Sequence, residues 1–289
     1  MNWTNYHTHS RYCDGTSVLR DYIEEAITRK MYALGFSGHG PVPFGSDWNM
    51  DFTKLNMYLH EIEALKVEYA NRIKISTGIE IDFIDEVVGV NALHGYPIEY
   101  TIGSVHYLPY HNEFGDIEFW NFDSGFDIFD QGVVSIYKGD IQKAITQYFY
   151  AIQKMVRNQP PTIIGHLDLV KKFNRSNKYF CEEDGWYRDL IVETLNIIAQ
   201  TNCIVEINTS SVLKSYSTEF YPSNWIIAQM KQLNIPVTIN ADAHAPNQLT
   251  NCHPQAALLL KQIGYESIAV FDTARWKLVD YTEKGLIVE

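Results

Sequence analysis

Short runs of β-branched and aromatic residues alternate along this chain with segments in which apolar residues recur at helical spacing. The short runs predict seven strands, at residues 5–7, 33–37, 73–81, 100–105, 162–165, 203–207 and 237–240. A helix follows the first strand: Val18, Tyr22, Ile23, Ala26 and Ile27 share one face, and Thr16 or Ser17 is its predicted cap. The same spacing predicts helices at 55–65, 141–156, 190–198 and 225–233. Strands that alternate with helices pair into a parallel sheet through right-handed crossovers, which indicates an α/β fold.

The sequence shows no internal division. It has no shift in composition, low-complexity tract or linker, so a single domain spanning residues 1–289 is predicted. The least regular stretch, 87–139, is rich in Gly, Asp, Asn and aromatic residues. Its length and irregularity favour loops that cover a site over a second folded unit.

Composition narrows the possible partners. No run of about 18 apolar residues occurs, and the N-terminus lacks the basic and apolar segments of a signal peptide, so a cytoplasmic protein without membrane contact is expected. The formal net charge of −12 argues against a nucleic-acid partner, which requires a basic surface. It allows an anionic small molecule, because bound metal ions reverse the local field. The four cysteines form no CxxC pair and fit free thiols in a reducing compartment.

Side chains with metal-binding chemistry stand at the carboxyl ends of the predicted strands. In chain order they are His7 and His9, His39, Glu80, His106, His166, Glu206 and Asn208, and finally Asp242 and His244. In a parallel barrel all strand carboxyl ends meet at one face, where active sites are built. Residues from the whole length of the chain are therefore expected to converge there.

Imidazole and carboxylate ligands together suit zinc, manganese or iron. The two imidazoles of His-Thr-His at 7–9 project from one side of an extended chain, and Asp-Ala-His at 242–244 repeats this spacing. Six histidines and at least two carboxylates exceed the needs of one ion, so two or three ions are predicted, with Glu80 able to bridge two. Taken singly, each histidine is better explained as a hydrogen-bonded structural residue than as a ligand. The other four, His60, His94, His111 and His253, fall in helical or loop patterns and are predicted at the surface.

Six short motifs carry a more specific resemblance. They are His-Thr-His at 7–9, Ser-Gly-His-Gly at 37–40, Gly-Ile-Glu-Ile-Asp at 78–82, Ile-Gly-Ser-Val-His at 102–106, Gly-His-Leu-Asp-Leu at 165–169 and Ala-Asp-Ala-His at 241–244. In order and spacing the set resembles the polymerase and histidinol phosphatase (PHP) family over nearly the whole chain, and its histidinol-phosphatase branch in particular. The resemblance implies a distorted seven-stranded (β/α) barrel, similar to a TIM barrel, with a trinuclear metal centre at the carboxyl ends of the strands.

The resemblance also implies a ligand for each position. A first ion would be held by His7, His9, Glu80 and Asp242, and Glu80 would bridge to a second ion that His106 and His166 complete. A third ion would be held by His39 and His244 together with Asp14 of Cys13-Asp14-Gly15. Some branches of the family use histidine in place of Asp14, and a turn aspartate before glycine is the alternative for this residue.

The activity that the resemblance implies is hydrolysis of a phosphate monoester, with L-histidinol phosphate of histidine biosynthesis as the expected substrate. Clustered ions lower the pKa of a bound water, so no nucleophilic Ser or Cys is required. Glu80, Asp242 and His244 would serve catalysis directly, and Asp242 or a metal-bound water would protonate the leaving alkoxide.

Substrate contacts are expected from the loops. The family binds phosphate with arginines, and the candidates here are Arg175 and Lys214, although lysine binds as a point charge rather than as a fork. A solvated surface is the alternative for Lys171, Lys172 and Lys214. The loop residues Trp120, Phe122 and Asp123 could contact the imidazole of the substrate or could simply pack the loop.

Three other functions are open on the sequence alone. A related phosphoesterase could act on a sugar or nucleotide phosphate, and PHP modules attached to polymerases can be non-catalytic accessory domains. The complete ligand set and the stand-alone length argue against an accessory domain. A phosphodiester nuclease would need a basic open groove, which the charge of −12 and the covering loop disfavour.

Overall fold

A computed structural model describes residues 2–214, 216–272 and 274–288 of the chain. Its strands are β1 (Thr4–Asn5), β2 (Ala33–Phe36), β3 (Lys74–Asp82), β4 (Tyr100–Ser104), β5 (Tyr107–His111), β6 (Ile117–Asn121), β7 (Ile163–Ile164), β8 (Ile204–Asn208), β9 (Val237–Asn240), β10 (Ser267–Asp272), β11 (Arg275–Thr282) and β12 (Gly285–Leu286). Its α-helices are α1 (Leu19–Thr28), α2 (Phe52–Glu68), α3 (Phe126–Ser135), α4 (Ile141–Asn158), α5 (Gly185–Ile198), α6 (Ser210–Leu213), α7 (Asn224–Gln232) and α8 (His253–Ile263).

Seven parallel strands form the central sheet in the order β1-β2-β3-β4-β7-β8-β9. These are the seven strands that the hydrophobic pattern predicts, and the predicted barrel architecture is confirmed. Asparagine side chains join the two edges: Asn240 Oδ1 accepts the amide of Tyr6 at 2.9 Å, and Asn5 Oδ1 accepts the amide of Ala241 at 2.7 Å. The ring of strands is thus completed by side-chain bonds and by a single backbone bridge between Thr8 and Ala243 instead of a regular ladder, which makes the barrel a distorted one.

Helix α1 shows how the outer layer packs on the sheet. Its inner face buries Leu19, Tyr22, Ile23 and Ala26, as the apolar spacing predicts. The predicted cap is wrong, because the helix begins after Val18 and has no side-chain cap bond. Thr16 is engaged elsewhere, since its hydroxyl donates to the carbonyl oxygen of His244 at 3.0 Å.

The stretch 87–139 is more ordered than the sequence suggests. Besides β4 it contains the antiparallel hairpin β5–β6 and helix α3. Trp120 and Phe122 are buried in the core, where the indole packs against Phe129 and Tyr137. The expected contact of these two aromatic rings with a substrate is therefore replaced by packing of the segment.

The three C-terminal strands, which the sequence pattern does not predict, close the amino-terminal end of the barrel. Phe271 and Trp276 pack with Tyr6 and Tyr100, and the Tyr6 hydroxyl accepts the amide of Phe271 at 2.9 Å. The opposite end is left open for the polar residues that follow the strands. Across the described residues, none of the helices combines the length and the apolar character that a membrane crossing would require.

His253 corrects one surface prediction. Its side chain is buried at the start of α8, edge-on to Trp3 and with Nε2 3.1 Å from the carbonyl oxygen of Thr4. Burial lowers the pKa of His253 to about 4, so the ring is neutral at physiological pH. The other three histidines predicted at the surface, His60, His94 and His111, are exposed.

Candidate metal centre

The carboxyl ends of the central strands surround a small pocket of about 250 Å³. The nine residues predicted as metal ligands lie in or beside it and, together with Asp82, form four groups; within each group the donor atoms lie within 4.8 Å of one another. These groups are His9, Asp14, His39 and His244; His7, His9 and Asp242; His39, Asp82 and His106; and Glu80, His106 and His166. The convergence expected from strand ends is therefore what the fold produces.

Glu80 stands at the centre of the site, buried on β3. Its Oε2 lies 3.0 Å from His7 Nε2 and 3.1 Å from His39 Nδ1. Its Oε1 lies 3.2 Å from His166 Nε2 and 3.8 Å from His106 Nε2. The two oxygens thus face different imidazoles, which is the arrangement that a carboxylate needs in order to bridge two ions.

Four of the atoms that face one another in this centre form no hydrogen bond. Within the described chain, His7 Nε2, His9 Nε2, His39 Nδ1 and Glu80 Oε2 are buried and lack a hydrogen-bond partner. Leaving a buried polar atom unsatisfied costs about 1–3 kcal/mol, so four together need an explanation. Two nitrogen donors at about 2.0–2.1 Å from one ion in a tetrahedral site are roughly 3.3 Å apart. His106 Nε2 and His166 Nε2 lie 3.2 Å apart, close to this value, so the residues present fit divalent metal ions.

Carboxylates fix the orientation of two of the imidazoles. His7 Nδ1 lies 2.9 Å from Glu206 Oε2, and His106 Nδ1 lies 2.7 Å from Asp82 Oδ1, with both carboxylates fully buried. Each bond leaves the Nε2 atom to point into the pocket, as in carboxylate–histidine–metal arrangements. The sequence places Glu206 at a strand end and Asp82 in a motif without a role for either. The alternation of side chains along a strand could have identified Asp82, because residues two apart lie on the same face and Asp82 is two residues from Glu80.

Asp242 has an unusual backbone. Its φ of 50° lies in the left-handed region, which aspartate tolerates better than most residues and which is common at functional sites. Its Oδ1 lies 3.2 Å from His9 Nε2, while Oδ2 accepts the hydroxyl of Ser210 at 3.2 Å. The conformation therefore turns the carboxylate back over the strand ends toward the His-Thr-His segment.

Asp14 lies at the outer edge of the pocket, with 29% of its side chain exposed. Its Oδ2 is 3.1 Å from His244 Nε2 and 3.8 Å from His39 Nε2. The turn that carries it requires Gly15, because a Cβ at that position would stand 2.4 Å from the amide nitrogen of Ser10. The geometry favours a ligand over a plain turn aspartate.

The buried carboxylates and histidines of the site shift one another's pKa values. Burial alone would raise the pKa of Glu80 and of Asp242, but the histidines around them, above all His7, hold both well below their ordinary values. Burial alone would lower the pKa of His7, but Glu206 and Glu80 raise it well above its ordinary value. Because metal ligands bind in their deprotonated form, an ion entering this site would displace a proton from His7.

The basic residues are placed differently from the prediction. Lys214 lines the pocket, and although burial alone would lower its pKa, Asp242 and Asp123 raise it above the ordinary value. Arg175 is exposed and lines a separate surface depression, because the chain turns away in a short 3₁₀ segment beginning there. Lys172, for which a solvated surface was the alternative, lines the pocket with only 15% of its side chain exposed. The structure thus brings Lys172 and Lys214 to the site and leaves Arg175 outside it.

Asp14→Asn is expected to lower metal occupancy at the outer position while sparing the two sites that share Glu80. The amide keeps the shape of the side chain but removes the charge that faces His39 and His244. Anomalous scattering from metal-loaded crystals would measure the occupancy of each position. Three fully occupied positions in this variant would show that Asp14 is not a ligand. The exposed His60 provides the control, since His60→Ala should keep wild-type metal content and rate.

Known proteins resemble this chain in sequence and in fold. The family model of the PHP domain matches residues 5–210. Histidinol-phosphatase of Bacillus subtilis is 29% identical over 255 residues, covering 82% of this chain and 92% of the relative. Histidinol-phosphatase of Lactococcus lactis is 27% identical over 296 residues, covering 99% of each. The crystal structure of histidinol phosphate phosphatase from Lactococcus lactis, complexed with zinc, L-histidinol and phosphate, superposes with a TM-score of 0.70 at 23% identity, covering 96% of this chain and 99% of that one. At this identity the structural likeness establishes the fold.

Proposed function

The chain belongs to the PHP domain family, and we propose that it is a metal-dependent phosphomonoesterase that converts L-histidinol phosphate and water into L-histidinol and phosphate. The observation that carries the proposal is the convergence of six histidines and three carboxylates around one small pocket. The relatives named histidinol-phosphatase, which match over most of their length, support the choice of substrate.

We assign two to three divalent ions, drawn from zinc, manganese and iron, to this pocket. His7, His9 and Asp242 would hold one, and Glu80 would connect it to a second held by His106 and His166. Asp14, His39 and His244 would hold a third. Once bound, the ions would neutralise phosphate charge and make water a nucleophile near neutral pH.

The protein residues around the ions would position the ester and move its protons. Lys172 and Lys214 would bind phosphate oxygens from the pocket wall as point charges. Asp242 has a pKa well below its ordinary value, so it is ionised and would orient the attacking water by accepting a hydrogen bond from it. An ionised Asp242 has no proton to give, so of the two donors considered for the leaving alkoxide a water molecule of the pocket would supply the proton.

The size of the pocket favours a small monoester. Ligand pockets commonly measure about 300–1,000 Å³, and this one, at about 250 Å³, lies below that range. A polynucleotide would need an open groove lined with cations and stacking platforms. The pocket therefore supports a phosphomonoesterase rather than a nuclease.

The test is a substrate panel on protein reconstituted with zinc, manganese or iron. We expect two to three equivalents of metal and a kcat/KM for L-histidinol phosphate about a hundredfold above that for sugar or nucleotide phosphates, within the range that pocket contacts achieve. A phosphodiester should not be hydrolysed. A higher kcat/KM for a sugar or nucleotide phosphate would replace the proposed substrate. Fully metal-loaded protein without any hydrolysis would indicate an accessory domain.

A further inference from the structure

Four carboxylates line the pocket: Asp14, Glu80, Asp123 and Asp242. Three of them belong to the groups of donor atoms that fit metal ions, whereas Asp123 belongs to none of those groups. Among the described lining residues, Asp123 is therefore the carboxylate that the metal centre does not use. Its negative charge lies in the wall of a pocket whose proposed substrate is an anion. A carboxylate repels a phosphate group, so its presence there needs an explanation.

Lys172 lies beside Asp123 and is hydrogen-bonded to it. Its Nζ donates to Asp123 Oδ1 at 2.7 Å and to the Asp123 carbonyl oxygen at 3.0 Å. Both side chains are mostly buried, with 15% of Lys172 and 20% of Asp123 exposed. The described residues make no hydrogen bond to Asp123 Oδ2, so half of this carboxylate is available to a ligand in the pocket.

An aromatic ring completes the surroundings of this ammonium group. Lys172 Nζ lies 5.0 Å from the centre of the Tyr216 ring, and Tyr216 also lines the pocket. A carboxylate oxygen beside an aromatic face is the chemistry that recognises organic ammonium groups, since both attract a cation. The wall that holds Asp123 and Tyr216 thus already accommodates one ammonium group, supplied by the protein itself.

Electrostatics explains why a cationic substrate would need this wall. The pocket would contain divalent ions and the ammonium groups of Lys172 and Lys214. Like charges a few ångströms apart repel strongly inside a protein, where the effective dielectric constant is far below that of water. An ester with an amino group brings another positive charge, which a carboxylate outside the metal centre would offset. A neutral ester would gain nothing from this carboxylate.

We propose that Asp123 binds the ammonium group of the substrate and selects phosphate monoesters that carry an amine over those that lack one. This assignment rests on the proposed function, and in it Asp123 is the residue that recognises the cationic end of the substrate. In this proposal Lys172 lies between the ammonium end and the phosphate end of the substrate. It is bound to Asp123 Oδ1 on one side and is available to phosphate on the other. Asp123 is thus a specificity residue and takes no part in making the nucleophile.

The test compares two esters that differ only in the amine: L-histidinol phosphate, and the deaminated analogue that keeps its imidazole and its phosphate. Asp123→Asn keeps the size of the side chain and an oxygen for Lys172 but removes the charge. We expect the ratio of kcat/KM for the aminated ester to that for the deaminated ester to fall about ten- to a hundredfold, mainly through KM, as loss of one charge-assisted contact does. Asp123→Glu should recover part of that ratio. Taking the ratio cancels any effect of a displaced Lys172 on phosphate binding.

A second measurement uses the wild-type protein alone, so the test stands even if a variant folds poorly. L-histidinol should inhibit hydrolysis of an aryl phosphate more strongly than the alcohol that lacks the amine. Equal inhibition by the two alcohols, or an unchanged ratio in Asp123→Asn, would overturn the assignment of Asp123. Wild-type protein that hydrolyses no monoester when loaded with metal would instead overturn the proposed function, and this inference with it.

Discussion

Glu80→Ala is expected to lower kcat/KM for L-histidinol phosphate by about a thousandfold or more, since metal ions supply several kcal/mol of transition-state stabilisation. The reason lies in its two oxygens, which face different sets of histidines at 3.0–3.2 Å. Asp14 also turns its two oxygens toward different histidines, at 3.5 Å from His9 and 3.1 Å from His244, but it lies at the partly exposed outer edge of the pocket. Removing Glu80 should release more than one ion per chain, where loss of an outer ligand should release at most one.

Elemental analysis and steady-state kinetics on the same preparation would check both parts of this expectation. Glu80→Gln separates charge from shape, because the amide fills the same space but is a poor bridging ligand. Glu113→Ala is the control, since that side chain is exposed in the β5–β6 turn. A Glu80 variant that keeps two or three equivalents of metal and the wild-type rate would refute the bridging role.

The convergence of the candidate metal ligands could be predicted from the sequence because it depends on strand ends. In a parallel barrel each strand ends at the same face, so a histidine that follows one strand meets those that follow its neighbours. His7 and His166 come from distant parts of the sequence, yet their rings lie 5.9 Å apart. The only requirement was to place seven strands in order, and errors of one or two residues at their ends did not disturb the prediction.

What could not be predicted depends on packing between segments far apart in the chain. His253 looks like a surface residue on a helix, but the carbonyl group that it meets belongs to Thr4 at the other end of the sequence. The hairpin β5–β6 and the strands β10–β12 lie outside the repeating strand–helix pattern, so that pattern gave no signal for them. Arg175 and Lys172 are three residues apart, and only the direction of a short turn decides which of them reaches the pocket.

Lys214→Ala should reduce kcat/KM for L-histidinol phosphate about ten- to a hundredfold, the usual cost of losing one charge-assisted contact of about 1.5–3 kcal/mol. Metal stoichiometry should stay at the wild-type value, because Lys214 lines the pocket without belonging to any group of metal donors. Lys214→Arg should recover most of the loss, since a planar guanidinium can bind two phosphate oxygens at once. Kinetics and elemental analysis on both variants would separate phosphate binding from metal chemistry.

Arg175→Ala is the charge-matched control for Lys214→Ala. It shows whether the position of the lost positive charge matters, or only its loss. It removes one positive charge, as Lys214→Ala does, but from a residue that lines a different depression on the surface. If proximity to the pocket matters, the Arg175 variant should stay within about threefold of wild type, because a distant exposed charge is screened by salt. Equal losses in the two alanine variants would mean that long-range charge draws the anion in. Wild-type rates in both would place the phosphate contact on Lys172, the remaining cation of the pocket wall.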